Sequence, residues 1–405
     1  MEHHKINRGW IVVLTGFCIN LAFGVLYSWS IFAKQLIDTF NWSSKEASLP
    51  YTIAIVCFAM TMLPAGYLQD RFGAKRVVTL SGIMTGLGLL SAGYLMTPIG
   101  LAVAFGIMSG IGIGLGYASA TPIAIKWFSQ DKKGLISGIV ISGFGLSTLY
   151  MAPLANHLLN TIGIQNAFKS LGIAFLIIVT SLAQLLTPPQ TNKQSSGVTF
   201  RDPNDKTILQ TIQTPIFYLL WIIMFCGSLG GLIIIGNLSK IVSMQSGQNF
   251  GFILVACTAV FNASGRPISG MISDKIGRFK TLMLIFFLEG IAFFNFGHLN
   301  TFVGLLAGAA IVTYCYGSLF SIMPSLTIEY FGKANLGTNY GVLFTSWGIA
   351  GILGPMLASA IYDIQQTFTL SYTIAGSLCS IGFALSAIAY ISQKKVAPST
   401  AEQES

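Results

Sequence analysis

VFNASGRPISGMISDKIGRFKTL, residues 260–282, decides how the rest of the chain is read. It sets one arginine, Arg266, inside an apolar helix that begins near Gln248, then breaks into the polar run DKIGRFK at 274–280. Asp274 follows Arg266 by eight residues, so at 1.5 Å of rise per residue the guanidinium sits roughly 12 Å inside the apolar boundary. An unpaired cation at that depth costs about 2.5–3.5 kcal/mol on insertion scales. Nothing acidic lies within a helical turn of it, and the residue one turn earlier is Asn262. The stretch therefore asks for an anion from outside the chain. A guanidinium suits a carboxylate, whose two oxygens match its planar fork through charge-assisted hydrogen bonds.

The rest of the chain makes that helix a membrane span. Of 405 residues, 53% are hydrophobic and only 9% charged, where soluble domains carry roughly 25% charge; the mean hydropathy is +0.71. Apolar runs of bilayer length fall near 10–33, 47–69, 77–96, 99–125, 134–159 and 166–187. A second set falls near 212–239, 248–273, 281–298, 301–327, 336–361 and 368–391, which makes twelve. The net charge of +9 is a topology signal and not a nucleic-acid footprint. With the amino terminus inside, the inner segments hold seventeen lysines and arginines, and the outer ones only Lys34, Lys45, Lys169 and Lys240. That asymmetry predicts a multi-pass protein of the plasma or inner membrane with both termini cytoplasmic. Cys18, Cys57, Cys226, Cys257, Cys315 and Cys379 all lie within apolar runs without metal-like spacing, and read as small buried hydrophobes. The first run has no small-residue cleavage site followed by a soluble domain, so it is expected to be a retained helix.

The chain repeats itself. GYLQDRFGAKR at 66–76 follows span 2, and GMISDKIGRFK at 270–280 follows span 8; both read G-x-x-x-D-[RK]-x-G, 204 residues apart. A second echo runs between 127–153 and 330–355, where WF…G…G…P returns as YF…G…G…P. A repeat at half the chain length predicts an all-α membrane protein of two pseudo-symmetric six-helix bundles, 1–187 and 212–405, the second ending in a short cytoplasmic tail. The polar, Pro-containing segment 188–211 is the expected cytoplasmic linker.

The two G-x-x-x-D-[RK]-x-G loops resemble the signature of the major facilitator superfamily. The resemblance implies that Asp70, Arg71, Asp274 and Lys275 gate the inward opening and do not touch substrate. A closer resemblance covers most of the chain. The runs at 24–30, GVLYSWS, and 214–221, TPIFYLLW, are similar to the oxalate:formate antiporter family. So are KWF at 126–128 with DKKGL at 131–135, GRP at 265–267 and NYG at 339–341. The run 127–145, WFSQDKKGLISGIVISGFG, also resembles the proton-linked monocarboxylate transporters. Both families move small organic anions.

Counting residues from the inner ends places Tyr117, Phe144, Tyr316, Phe344 and Trp347 within about 12–16 Å of the inner face, level with Arg266. The antiporter resemblance implies that Tyr27, Tyr117, Phe144, Tyr316, Phe320 and Phe344 line the cavity around Arg266. A tyrosine hydroxyl at that depth needs a partner, so Tyr117 and Tyr316 are candidate hydrogen-bond donors, with Asn262 orienting the arginine. Two departures from the families bear on substrate and coupling. Where the oxalate antiporter has a second cation, a lysine, this chain has Trp347, and span 11 contains no lysine or arginine. A dianion would then keep one charge unpaired in a low-dielectric cavity, which favours a monocarboxylate such as lactate, pyruvate or formate over oxalate. Where the monocarboxylate transporters have an aspartate, this chain has Asn262, which cannot titrate. A coupling proton, if there is one, would fall to Glu289 in span 9 or to His157 near the outer end of span 5.

Gly106, Gly110 and Gly114, spaced by four in span 4, suit close helix packing. No G-x-x-x-x-G-K-[ST] motif and no catalytic or metal-ligand set occurs, so neither an enzyme nor ATP-driven transport is expected and no cofactor or metal is called for. The sequence predicts a secondary carrier, monomeric as in the family, whose partners are a small organic anion, a proton or exchanged anion, and the lipid bilayer. The alternatives are an oxalate or dicarboxylate:formate antiporter and, from another class, a non-transporting carboxylate sensor.

Overall fold

Gly73 and Gly277, which close the two D-[RK]-x-G loops, take the same unusual backbone: φ 83°, ψ 150° and φ 95°, ψ 152°. Only glycine adopts that conformation without strain, so the repeated glycine is a requirement of the turn that joins two consecutive spans. The computed structural model describes residues 2–129, 132–189, 205–248 and 250–396, and these are helical with no strand among them. Most of the segment expected as the linker, with Asp131, Lys193 and Arg201, lies outside the described residues.

Span 1 is the helix Glu2–Phe23, a 3-10 turn Gly24–Ser28 and the helix Trp29–Phe40, longer than its apolar run suggests. Spans 2 and 3 are Ser44–Phe72 and Ala74–Ala92. Span 4 starts at Pro98–Leu101, passes through a π-helical stretch Ala102–Ser109 and continues as Gly110–Ile125. Spans 5 and 6 share the unbroken run Lys133–Ala183 and part only at Gly163, where φ is +74°. Spans 7 to 12 are Pro215–Ser246, Gly251–Ile276, Arg278–Phe296, Phe302–Phe331, Leu336–Gln365 and Thr369–Val396. Nine of the described helices are long and apolar enough to cross a membrane by composition, with the joined run Lys133–Ala183 counted once. Spans 3 and 8 fall outside that set, span 3 with Lys75 and Arg76 in its first turn and span 8 with Asn262, Arg266, Asp274 and Lys275.

Local sequence starts these helices at matching places in the two halves. Thr97 accepts from the Gly100 N–H at 3.0 Å to open span 4, and Thr301, 204 residues on, accepts from the Gly304 N–H at 3.1 Å to open span 10. Ser43 and Glu46 form a reciprocal capping box at span 2. The glycine ladder of span 4 lies against the backbone of span 2: a Cβ on Gly106, Gly110 or Gly114 would come within 3.1, 2.8 and 2.8 Å of the carbonyl oxygens of Pro50, Ala54 and Phe58. That packing fixes Phe58 at the centre of the molecule.

The halves meet most closely where span 5 crosses span 8 and span 2 crosses span 11. A Cβ on Gly138 would lie 2.3 Å from the Arg266 carbonyl oxygen, and one on Gly66 would lie 2.1 Å from the Gly337 carbonyl carbon. Both crossings lie toward the face that carries the two D-[RK]-x-G loops. That basic face is therefore closed.

Candidate functional site

Between the halves, a cavity of about 740 Å³ opens at the opposite face. Its walls come from the ends of spans 1, 2, 7, 8 and 11 at that face, among them Tyr27, Tyr51, Ile55, Asn237, Thr258 and Pro355, and its floor includes Asn262 and Trp347. The 3-10 turn at Gly24–Ser28 is what turns Tyr27 into this space. It can form there because Gly24 has no Cβ to strike Ser147 of span 5.

Arg266 sits beneath the cavity floor, one helical turn beyond the floor residue Asn262; it does not itself line the cavity, and 1% of its surface is exposed. Its Nη2 donates to Asn262 Oδ1 at 3.0 Å, one turn back on the same helix. Its Nη1 donates across the halves to the backbone carbonyl of Ile141 in span 5. The guanidinium carbon stands 5.1 Å from the centroid of the Phe320 ring, a cation–π contact. Nε is buried and has no partner, and no carboxylate pairs with this side chain among the described residues. A guanidinium carries five N–H donors, so those two bonds leave capacity for a further acceptor.

An aromatic cluster drawn from both halves surrounds it. Tyr27 and Tyr117 pack edge-on to Phe144, with ring centroids 5.0 and 5.3 Å apart. Tyr117 meets Phe344 across the halves at 5.6 Å. Phe344 and Trp347 lie 4.9 Å apart, and Tyr316 meets Phe320 edge-on at 5.0 Å. The Trp347 Nε1–H donates to the Tyr316 hydroxyl at 2.8 Å. That hydroxyl therefore serves as an acceptor for Trp347 and also meets Tyr27 of the other half. The aromatic residues that sequence placed around Arg266 pack into this one cluster, but of the expected cavity-lining residues only Tyr27, Asn262 and Trp347 line the open cavity; Tyr117, Phe144, Tyr316, Phe320 and Phe344 are buried behind it.

Two members of the cluster were not singled out by sequence. Phe58 stands between Tyr117 and Trp347, 5.4 and 5.3 Å from their rings. Its signal was the repeat, for Phe58 precedes Asn262 by 204 residues, the spacing of the two loops. Tyr340 packs on Phe344 at 5.6 Å, and its buried hydroxyl has no partner. Here the signal was helical spacing: positions 340, 344 and 347 form one face of span 11.

At the closed face the two loop carboxylates each reach into the other half. Asp274 accepts from the backbone N–H groups of Gly134 and Leu135, at 3.2 and 3.1 Å, where span 5 begins. Asp70 accepts from the Thr338 hydroxyl at 3.5 Å, where span 11 begins. Both carboxylates sit at a helix N-terminus, the end that favours negative charge. The basic partners behave differently. Arg71 stays on its own helix, bonded to the Tyr67 hydroxyl at 3.0 Å, and Lys275 is exposed. Arg278 instead binds Asp274 and reaches Glu329 of span 10 at 2.9 Å.

The two residues considered for protons are not part of this constellation. His157 is exposed on span 5 and does not line the cavity. Glu289 is fully buried inside the C-terminal six spans, beside Cys226, Cys315 and Cys379. Among the described residues no set of histidine, cysteine and carboxylate groups is arranged to hold a metal.

Comparison with known proteins places this arrangement. The family model described as the Major Facilitator Superfamily matches residues 12–355 and 220–405. The oxalate:formate antiporter of Oxalobacter formigenes is 30% identical over 389 residues, covering 94% of this chain and 90% of its own. Monocarboxylate transporter 11 of Mus musculus is 26% identical over 397 residues, covering 92% and 86%. Among solved structures, the transporter FucP in its outward conformation superposes with a TM-score of 0.70 at 14% identity, over 93% of this chain and 99% of its own.

Proposed function

The chain belongs to the major facilitator superfamily of transporters, and on that premise we propose that it carries small monocarboxylates by alternating access around Arg266. The observation that carries this reading is the state of that guanidinium. It is buried, unopposed by any carboxylate among the described residues, and short of acceptors just beneath Asn262, which lines the floor of a cavity open to one face. A carboxylate arriving there would supply two acceptors to the fork and cancel the charge.

The same bond pattern suggests how binding is felt by the gate. Nη1 is held by the Ile141 carbonyl of the opposite half. An anion that competes for this N–H weakens a contact belonging to the closed basic face, and the crossings at Gly138 and Gly66 are free to part. Asp70 and Asp274 would then leave the helix ends they cap, and the cavity would open to the cytoplasm. One cation in a pocket walled by Phe320, Phe344 and Trp347 favours a single negative charge, because a second carboxylate would be desolvated without a partner. A dicarboxylate:formate exchange is the second reading, favoured by the likeness to the oxalate:formate antiporter.

Uptake of labelled lactate, formate and oxalate into proteoliposomes separates the two. Saturable flux of lactate or formate, lost in Arg266→Gln, is the expected result. Flux that survives Arg266→Gln would overturn the site, and preference for oxalate would overturn the charge count.

A further inference from the structure

The cavity has a second electrostatic feature, at its mouth. Of the residues that line it, only Lys34 and Lys240 are charged, and none is acidic. One comes from span 1 and the other from span 7, positions 206 residues apart and so close to equivalent in the two halves. Both side chains are exposed, and no carboxylate pairs with either among the described residues. Lys240 is held over the Tyr362 ring at 3.5 Å from its centroid, which fixes its ammonium without neutralising it. The placement runs against the charge economy of the chain, since only four of its lysines lie in segments expected on this side. Of the other two, Lys169 stacks on Tyr94 at 4.0 Å, and the side chain of Lys45 lies outside the described residues.

From this we infer that Lys34 and Lys240 form a staging site for anions at the cavity mouth, separate from Arg266, which gathers carboxylates and delivers them to the floor. The inference rests on the reading of Arg266 as the inner site and adds a second site to it. A cleft lined by one sign of charge between low-dielectric walls concentrates counter-ions and speeds their entry. The ammonium groups are hydrated point charges on flexible stems, suited to brief capture, whereas the Arg266 fork is suited to oriented binding. The ligand class is any small organic anion, so the mouth supplies rate and sign selection while the floor supplies identity.

The test is the salt dependence of association. Lactate is mixed with purified wild-type protein by stopped flow, with tryptophan fluorescence as the signal, because Trp347 lies at the floor. From about 10 mM to 300 mM ionic strength the screening length shrinks from about 30 Å to less than 8 Å. The association rate of the wild type is expected to fall roughly tenfold over that range, and that of Lys34→Gln/Lys240→Gln to stay nearly flat. The charge-conserving pair Lys34→Arg/Lys240→Arg should keep the wild-type slope, which separates loss of charge from loss of fold. The dissociation rate should be the same in all three. Equal salt slopes in the wild type and the Gln pair, or a flat Arg pair, would overturn the staging site and leave Arg266 standing. A wild type with no saturable signal from lactate, formate or oxalate would instead remove the reading of Arg266 and the staging site with it.

Discussion

Arg266→Lys is the most searching single change, because it keeps the charge and removes the fork. In the structure the guanidinium splits its work: Nη2 holds Asn262, Nη1 holds the Ile141 carbonyl, and Nε has no partner. An ammonium offers its three donors from one atom, so it cannot face Asn262, Ile141 and two carboxylate oxygens together. At least one charge-assisted hydrogen bond to the ligand is lost, worth about 1.5–3 kcal/mol. The dissociation constant for lactate should rise by about 10- to 100-fold, measured by equilibrium fluorescence titration of purified protein. Arg266→Gln should bind less still. Thermal unfolding should be little changed in the Lys variant, since the buried charge is retained. A Lys variant that binds within about threefold of the wild type would show that the cavity holds its ligand elsewhere, and the argument from the unsatisfied fork would be wrong.

Trp347→Lys places a second cation beside the first and removes the indole bond to Tyr316. Oxalate affinity should improve by about tenfold while lactate binding weakens, and unchanged selectivity in a competition assay would count against one cation setting the charge of the substrate. Tyr340→Phe deletes a hydroxyl with no protein partner. If that hydroxyl donates to the ligand, KM should rise by about 3- to 10-fold with no loss of thermal stability, whereas a drop in Tm at constant KM would mark it as structural. Gly138→Val would push a side chain into the Arg266 carbonyl and hold the basic face open. In a cysteine-free background, labelling at Ser137→Cys by an impermeant maleimide should then quicken from that face while exchange stops, and slow labelling would sink the assignment of this crossing as the closed gate.

What the sequence made legible follows from what leaves a periodic or spaced trace. The duplicated loops did, because a φ near +90° demands glycine at both Gly73 and Gly277. The glycine ladder of span 4 did, because close backbones admit only small residues. Contacts to main-chain atoms leave no trace. Nothing in the identity of Ile141 announces that its carbonyl receives Arg266, and nothing in Gly134 or Leu135 announces Asp274. The gate shows the limit of reading by analogy within a repeat. Arg71 and Lys275 occupy matching places in the motif, yet the ion pair forms at Arg278, which lies one turn beyond Asp274 and can also reach Glu329. Its titratable side chain near one end of span 5 brought His157 into consideration, without saying which way that helix faces; the side chain is exposed.

The Arg266 charge beneath the floor also bears on coupling. With Asn262 where a carboxylate could titrate, no acid among the described residues pairs with Arg266 to cancel the guanidinium when the site empties. Glu289 is fully buried beside Cys226, Cys315 and Cys379 and does not line the cavity. On the proposed reading the empty site therefore keeps an unpaired buried cation, and the loaded one would not. Passing through an occluded, dehydrated intermediate should be harder empty than loaded by a few kcal/mol, as expected for a buried charge deprived of its partner. Exchange of one anion for another avoids that step, and net flow cannot. Proteoliposomes preloaded with unlabelled lactate should accumulate labelled lactate at least about tenfold faster than lactate-free ones with the membrane potential clamped, since 1.4 kcal/mol is already a decade. Equal rates in the two would mean that the empty carrier reorients freely, and that something other than the bound anion balances Arg266 on the return.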